Sequence, residues 1–130
     1  MLRASQLLAM TMAEHNETGK QGEEAAVNYL LEKGYEIVQR NYQARKAEID
    51  IIAQKDNWLI VAEVKTRTSV DFGNPEDFVN KKKIKLLAKA IDEYVLETDL
   101  DLEIRFDIIS VIKNADSFTI EHIEDAFYHF

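Results

Sequence analysis

Asp50, Glu63 and Lys65 stand among aliphatic residues in the stretch AEIDIIAQKDNWLIVAEVKTR, residues 47–67. Two runs of β-branched and aliphatic residues flank a polar QKDN turn there, the pattern of a buried hairpin, in which charge is costly. Successive strand residues alternate faces, so Glu63 and Lys65 share a side, as do Glu48 and Asp50. With an even-numbered turn, at 54–57 or 55–56, all four side chains project from one face. Glu48 then lies across from Glu63, with Asp50 as its diagonal neighbour roughly 7–8 Å away by backbone spacing. Clustered carboxylates repel one another and resist desolvation unless a cation sits between them. One arrangement that satisfies them is an ion pair at the sheet rim, Asp50 or Glu63 with Lys65 or Arg67. The other is a hard divalent ion, Mg²⁺ or Mn²⁺, which takes one or two carboxylates and keeps its other positions for water and a substrate phosphate. Such an ion neutralises a phosphodiester and activates water for in-line attack, and Lys65 would orient that water, help deprotonate it or stabilise developing phosphate charge.

The elements that position these residues follow from periodicity. Thr18 and Gln21 have capping-box spacing, and Ala26, Val27, Leu30 and Leu31 recur at helical spacing until Gly34, which predicts a first helix over roughly residues 20–33. YEIVQRNY reads as a short strand, followed by the hairpin. VDFGNPEDF, with the only proline, reads as a loop. Val79, Ile84, Leu87, Ala88, Ile91, Tyr94 and Val95 mark one face of a second helix, roughly 79–96. EIRFDIISVI and SFTIEHI read as a closing pair of strands. The order α-β-β-β-α-β-β predicts an α/β domain with a central mixed β-sheet flanked by helices, because a helix between strands usually crosses over to cover a sheet face.

A chain of 130 residues supports a single domain with one core. Residues 1–18 read as a flexible leader and 19–130 as the domain; Met12 offers a second start. The leader's apolar patch is too short to span a membrane. With no cysteine, neither a disulfide framework nor a zinc-thiolate site is available, and the composition suits a cytoplasmic protein. The net charge of −8 argues, taken alone, against nucleic-acid binding. Its distribution points the other way, for residues 38–89 hold 11 of the 16 Lys and Arg and only 7 of the 24 Asp and Glu. The middle of the chain is a basic island in an acidic protein.

The segments GKQGEEAAVNYLLEKGYEIVQRNY, AEIDIIA, VAEVKTR and FGNPEDFVNKKKIKLL, in that order and spacing, resemble the YraN-like uncharacterised protein family from Gly19 to about Tyr94. Asp50, twelve residues and then Glu63-Val64-Lys65 resemble the PD-(D/E)xK signature of the restriction-endonuclease-like superfamily. The family is in turn similar to archaeal Holliday junction resolvases. The resemblance implies a restriction-endonuclease-like fold and a Mg²⁺- or Mn²⁺-dependent endonuclease acting on branched or damaged DNA. On it, Asp50 and Glu63 match metal-binding acids, Lys65 the catalytic lysine, and Glu23 a helix-borne acid that joins the metal site. Glu48 matches the acid of the family's usual GEID segment, where this chain has Ala47 for the glycine. The resolvase analogy also favours a homodimer.

Plainer readings stand beside these. Glu23 is also an ordinary first-turn acid of the expected helix. Lys81, Lys82, Lys83, Lys85 and Lys89 form either a solvated helix face or a phosphate-binding row, and their position at a helix start, unfavourable for the dipole, leans toward phosphate. Thr66 and Arg67 are candidate phosphate contacts on the same footing. His15, His122 and His129 lack metal-ligand spacing and read as surface or terminal residues. Trp58 reads as core or turn packing, and Phe127, Tyr128 and Phe130 as an apolar tail that docks on the core or on a second subunit. The rival functions are a catalytically silent nucleic-acid-binding module and a protein-interaction scaffold.

Overall fold

The computed structural model describes residues 4–68 and 80–127, with side chains from Glu17 onward. Helix α1 runs Ala4–Glu32 and so begins well before the capping box expected at Thr18 and Gln21. Alanine, leucine, methionine and glutamate dominate its first half and lose little side-chain freedom in a helix, while Gly19 costs only about 1 kcal/mol, so nothing there stops the helix. Residues 4–18, expected as a leader, are therefore helical. Gly34, at φ 90°, ends the helical turn, and the N–H of Tyr35 donates back to the Leu30 carbonyl.

Strands β1 (Glu36–Ala44), β2 (Ala47–Lys55) and β3 (Trp58–Thr68) form an antiparallel meander. Helix α2 (Lys81–Thr98) crosses over to β4 (Glu103–Lys113), which pairs parallel to β3, and β5 (Phe118–Ile123) closes the sheet antiparallel. The spatial order is β1-β2-β3-β4-β5. This is the mixed sheet and the α-β-β-β-α-β-β order that periodicity predicts. The expected VDFGNPEDF loop lies outside the described residues, as do Val79, Tyr128, His129 and Phe130.

Each helix covers one sheet face. Ala26, Val27 and Leu30 of α1 pack on Ile51, Ala53, Ile60, Ala62, Ile109 and Val111. Leu87, Ala90, Ile91 and Tyr94 of α2 pack on Ile52, Leu59 and Val61. Covering β3 on both sides explains its unbroken apolar run, since each residue from Leu59 to Ala62 finds a core. Along β2 the alternation fails near the site: Ile49 and Ile52 both join the α2 layer, while Ile51 joins the α1 layer. The side chains of β2 are thus re-aimed at Asp50.

α1 approaches β3 closely at Gly22, where a Cβ would overlap the Thr66 side chain, including its own Cβ. In an open helix, Gly→Ala adds roughly 1 kcal/mol of stability, but forced overlap costs about 1–3 kcal/mol. Gly22→Ala is therefore expected to lower the urea midpoint, whereas Gly19→Ala, with nothing within 4 Å, raises or preserves it. Equal gains in both variants would show that α1 does not press on β3.

Away from this contact lies a buried polar network. Asp107, fully buried, accepts from Arg105 Nε and Nη2 at 2.9 and 2.8 Å and from the Asp125 backbone N–H at 3.0 Å. His122 Nε2 stands 2.7 Å from Asp107 Oδ2, and its Nδ1 lies 3.0 Å from the Tyr29 hydroxyl. Arg105 also donates to the Tyr35 hydroxyl at 2.8 Å. His122 is therefore not the surface residue expected; its side chain is 6% exposed and ties β5 to β4 and α1. Trp58, in turn, is partly exposed beneath the Arg105 guanidinium rather than in the core.

Candidate functional site

The β2–β3 ladder pairs Lys55 with Trp58 and ends at Ile51 with Ala62, so the turn is Asp56–Asn57. One step on, Asp50 comes level with Glu63, which corrects the expectation that Glu48 lies across from Glu63. Asp56 takes φ 54°, a left-handed conformation that aspartate tolerates better than most residues, and this fixes the later turn. The slip is two residues, an even number that does not by itself exchange the faces, although the break in alternation at Asp50 separates Glu48 from the regular part of β2. Beyond Ile51 a side chain replaces the ladder: the N–H of Val64 donates to Asp50 Oδ2 at 2.9 Å.

Glu63 is buried, and Lys83 Nζ from the first turn of α2 reaches its Oε2 at 2.8 Å. Its Oε1 is buried without a hydrogen-bond partner. Asn80 caps that helix by accepting the N–H of Lys83, which fixes the lysine at the third helical position, beside the sheet end. Burial, reinforced by the Asp50 charge, pushes the Glu63 carboxyl up to about 7 despite Lys83. Burial likewise raises Asp50, against the lowering effect of the Val64 N–H. Burial pulls the Lys83 ammonium down, but the hydrogen bond to Glu63 and the charges of Glu63 and Asp50 outweigh it and hold the group above the usual lysine value.

This arrangement sets a pH dependence. An acid raised in the folded state holds its proton more tightly there than in the unfolded chain, so stability falls as pH rises from the unfolded value near 4.5 through about 7. The loss attributable to Glu63 is on the order of 3 kcal/mol. In chelator, the urea midpoint is expected to fall between pH 5 and pH 8, and Glu63→Gln to flatten most of that slope. A wild-type midpoint that rises over this range would contradict the assignment.

An open cavity of about 540 Å³ is lined by Glu23, Glu48, Asp50, Glu63, Lys65 and Lys83, with Lys46, Ala47, Val64, Leu86 and Leu87. Glu23 enters from α1, and its carboxyl is raised by burial and by the charges of Asp50 and Glu48. Glu48 is exposed, with the Gln43 amide 3.5 Å from its Oε2. Lys65 is exposed at the rim. Thr66 turns to the opposite face, against Gly22. Arg67 is half-buried farther along β3, and Lys81, Lys82 and Lys85 stand exposed on the opening turns of α2, outside the cavity lining.

Among the sequence candidates, then, the structure gathers the acids, Lys65 and Lys83, and leaves the other basic residues around them. Sequence reasoning missed the contact of Lys83 with Glu63; Asn80 with Lys83 three residues later was the available signal. Among the described residues, no three acid or histidine groups converge closely enough to enclose a metal alone. Asp50 and Glu63 nevertheless suit a hard dication that takes one or two carboxylates: both are raised by burial, and Glu63 has an unpartnered buried oxygen. Among the described residues no helix is long and apolar enough to cross a membrane.

The sequence profile of the uncharacterised protein family UPF0102 matches residues 22–111. UPF0102 protein FP2501 of Flavobacterium psychrophilum is 62% identical over 119 residues, covering 92% of this chain and 100% of that protein. UPF0102 proteins of Christiangramia forsetii and Phocaeicola vulgatus are 60% and 54% identical, over 92% and 90% of this chain and 100% and 97% of their own.

Proposed function

The chain belongs to the UPF0102 family, and for it we propose a Mg²⁺- or Mn²⁺-dependent endodeoxyribonuclease acting on branched or damaged DNA in repair or recombination. The observation that carries this reading is the pair of half-buried Asp50 and buried Glu63 at the open end of β2 and β3, in a cavity that also holds Glu23, Glu48 and Lys65. Asp50 and Glu63 would hold the dication, with Glu23 and Glu48 adding negative charge around it. When bound, the ion supplies charge neutralisation for the phosphodiester and a water of lowered pKa. Lys65 would orient the attacking water or stabilise the charge that develops on the phosphate. Arg67, Lys81, Lys82 and Lys85 are the proposed strand contacts, of which the exposed α2 lysines are best placed for phosphate, while Thr66, packed against Gly22 on the other face, is withdrawn from that set. On this reading the proposed site of action is the cytoplasm.

A second reading has its own support. The closed ion pair of Lys83 on Glu63 is what a silent DNA-binding module that keeps the fold would contain. Cleavage of labelled four-way junctions, flaps, single strands and plain duplex with Mg²⁺ or Mn²⁺ separates the two. Metal-dependent products lost in Asp50→Ala support the nuclease. Salt-sensitive junction binding without product at any metal concentration supports the module.

A further inference from the structure

We propose that Lys83 is the internal counter-ion of the carboxylate site and that it leaves Glu63 when a divalent cation enters. This rests on the metal-site reading above. The two partners differ in freedom: the Glu63 side chain is 8% exposed and fixed in the sheet, while that of Lys83 is 47% exposed. The lysine can swing into water without uncovering core; the glutamate cannot. Its departure is also favoured, because the ammonium on Glu63 Oε2 stands beside the unpartnered Oε1 that a dication would take. An ammonium and a dication on the same two carboxylates repel each other at short range.

Exchange costs Lys83 little. It returns to solvent at the exposed opening turns of α2 that carry Lys81, Lys82 and Lys85, adding a positive charge there. Held on Glu63, Lys83 compensates a buried charge in the metal-free protein and disfavours binding of stray cations. Released, it adds to the basic row as the metal site fills. One side chain thereby couples the site's two ligands, dication and phosphate backbone.

Mn²⁺ binding followed by electron paramagnetic resonance is the first readout, on the full chain with and without Lys83→Met and Lys81→Met. Lys83→Met is expected to bind Mn²⁺ at least tenfold more tightly than wild type, with Lys81→Met within twofold. The second readout is the ¹⁵Nζ resonance of Lys83, assigned with Lys83→Arg, which is expected to move to the position of the exposed lysines as Mg²⁺ saturates the site. Equal affinities in wild type and Lys83→Met, an equal gain in Lys81→Met, or a Lys83 resonance unmoved at saturation would overturn the exchange and leave the metal site standing. No binding in any chain would remove the metal-site reading and the exchange together.

Discussion

Asp107→Ala is expected to lose about 3–5 kcal/mol of folding stability, because removing one member of a buried ionic network strands the others. Asp107 is fully buried and receives two bonds from Arg105, one from the Asp125 N–H and a 2.7 Å contact from His122. Without it the guanidinium, held above its ordinary pKa mainly by hydrogen bonds to Asp107, sits 14% exposed with its principal partner gone. Domains of this size hold only about 5–15 kcal/mol in total, so the variant should be marginal or unfolded at ambient temperature. Urea denaturation measures this directly; a loss below about 1 kcal/mol would mean the network is solvated and not structural. The acid limb has the opposite sign from that of Glu63. Burial opposes ionisation of Asp107, but the bonds from His122, Arg105 and the Asp125 N–H prevail and hold its carboxyl below the usual range. Its stabilisation is present above the unfolded aspartate value and is lost as pH falls through the depressed folded value.

Why this network is hard to read in the sequence is physical. His122 meets Tyr29 across 93 residues and Asp107 across 15, and no local spacing encodes either contact. The alternation of EIRFDIISVI places Ile104, Phe106 and Ile108 on one side, which makes Arg105 and Asp107 look solvent-facing until α1 is known to cover that side. By contrast, the meander and the shared face of Asp50 and Glu63 were legible, because strand parity survives an error of two residues in register. The register itself was not legible: it depended on whether Asp56 or Lys55 opened the turn, a choice made by a single left-handed φ. The start of α1 was misplaced because a capping-box pattern inside a continuous run of helix formers has no exposed helix end to cap. Lys83 was legible as a cation but not as the partner of Glu63, since the α2 crossover sets how its first turn meets the sheet end.

Asp50→Asn is expected to abolish metal-dependent DNA cleavage, a fall on the order of 10³-fold or more, corresponding to several kcal/mol of transition-state stabilisation from the bound ion. The substitution nearly conserves volume, and the amide oxygen can still accept the Val64 N–H, so loss of activity with an unchanged urea midpoint at pH 6 isolates the charge. Lys65→Ala should separate from it. An exposed lysine at the cavity rim is not needed to bind the ion, so Mn²⁺ affinity is retained while cleavage falls about 10²–10⁴-fold, the range for a lost proton-transfer group. The pair of variants is more informative than either alone. If both lose cleavage and only Asp50→Asn loses Mn²⁺, the acids hold the metal and Lys65 acts on the reacting water or phosphate. If Lys65→Ala cleaves normally, the ammonium that serves the chemistry has to come from elsewhere in the cavity. Lys83, 2.8 Å from Glu63, is then the group to replace next.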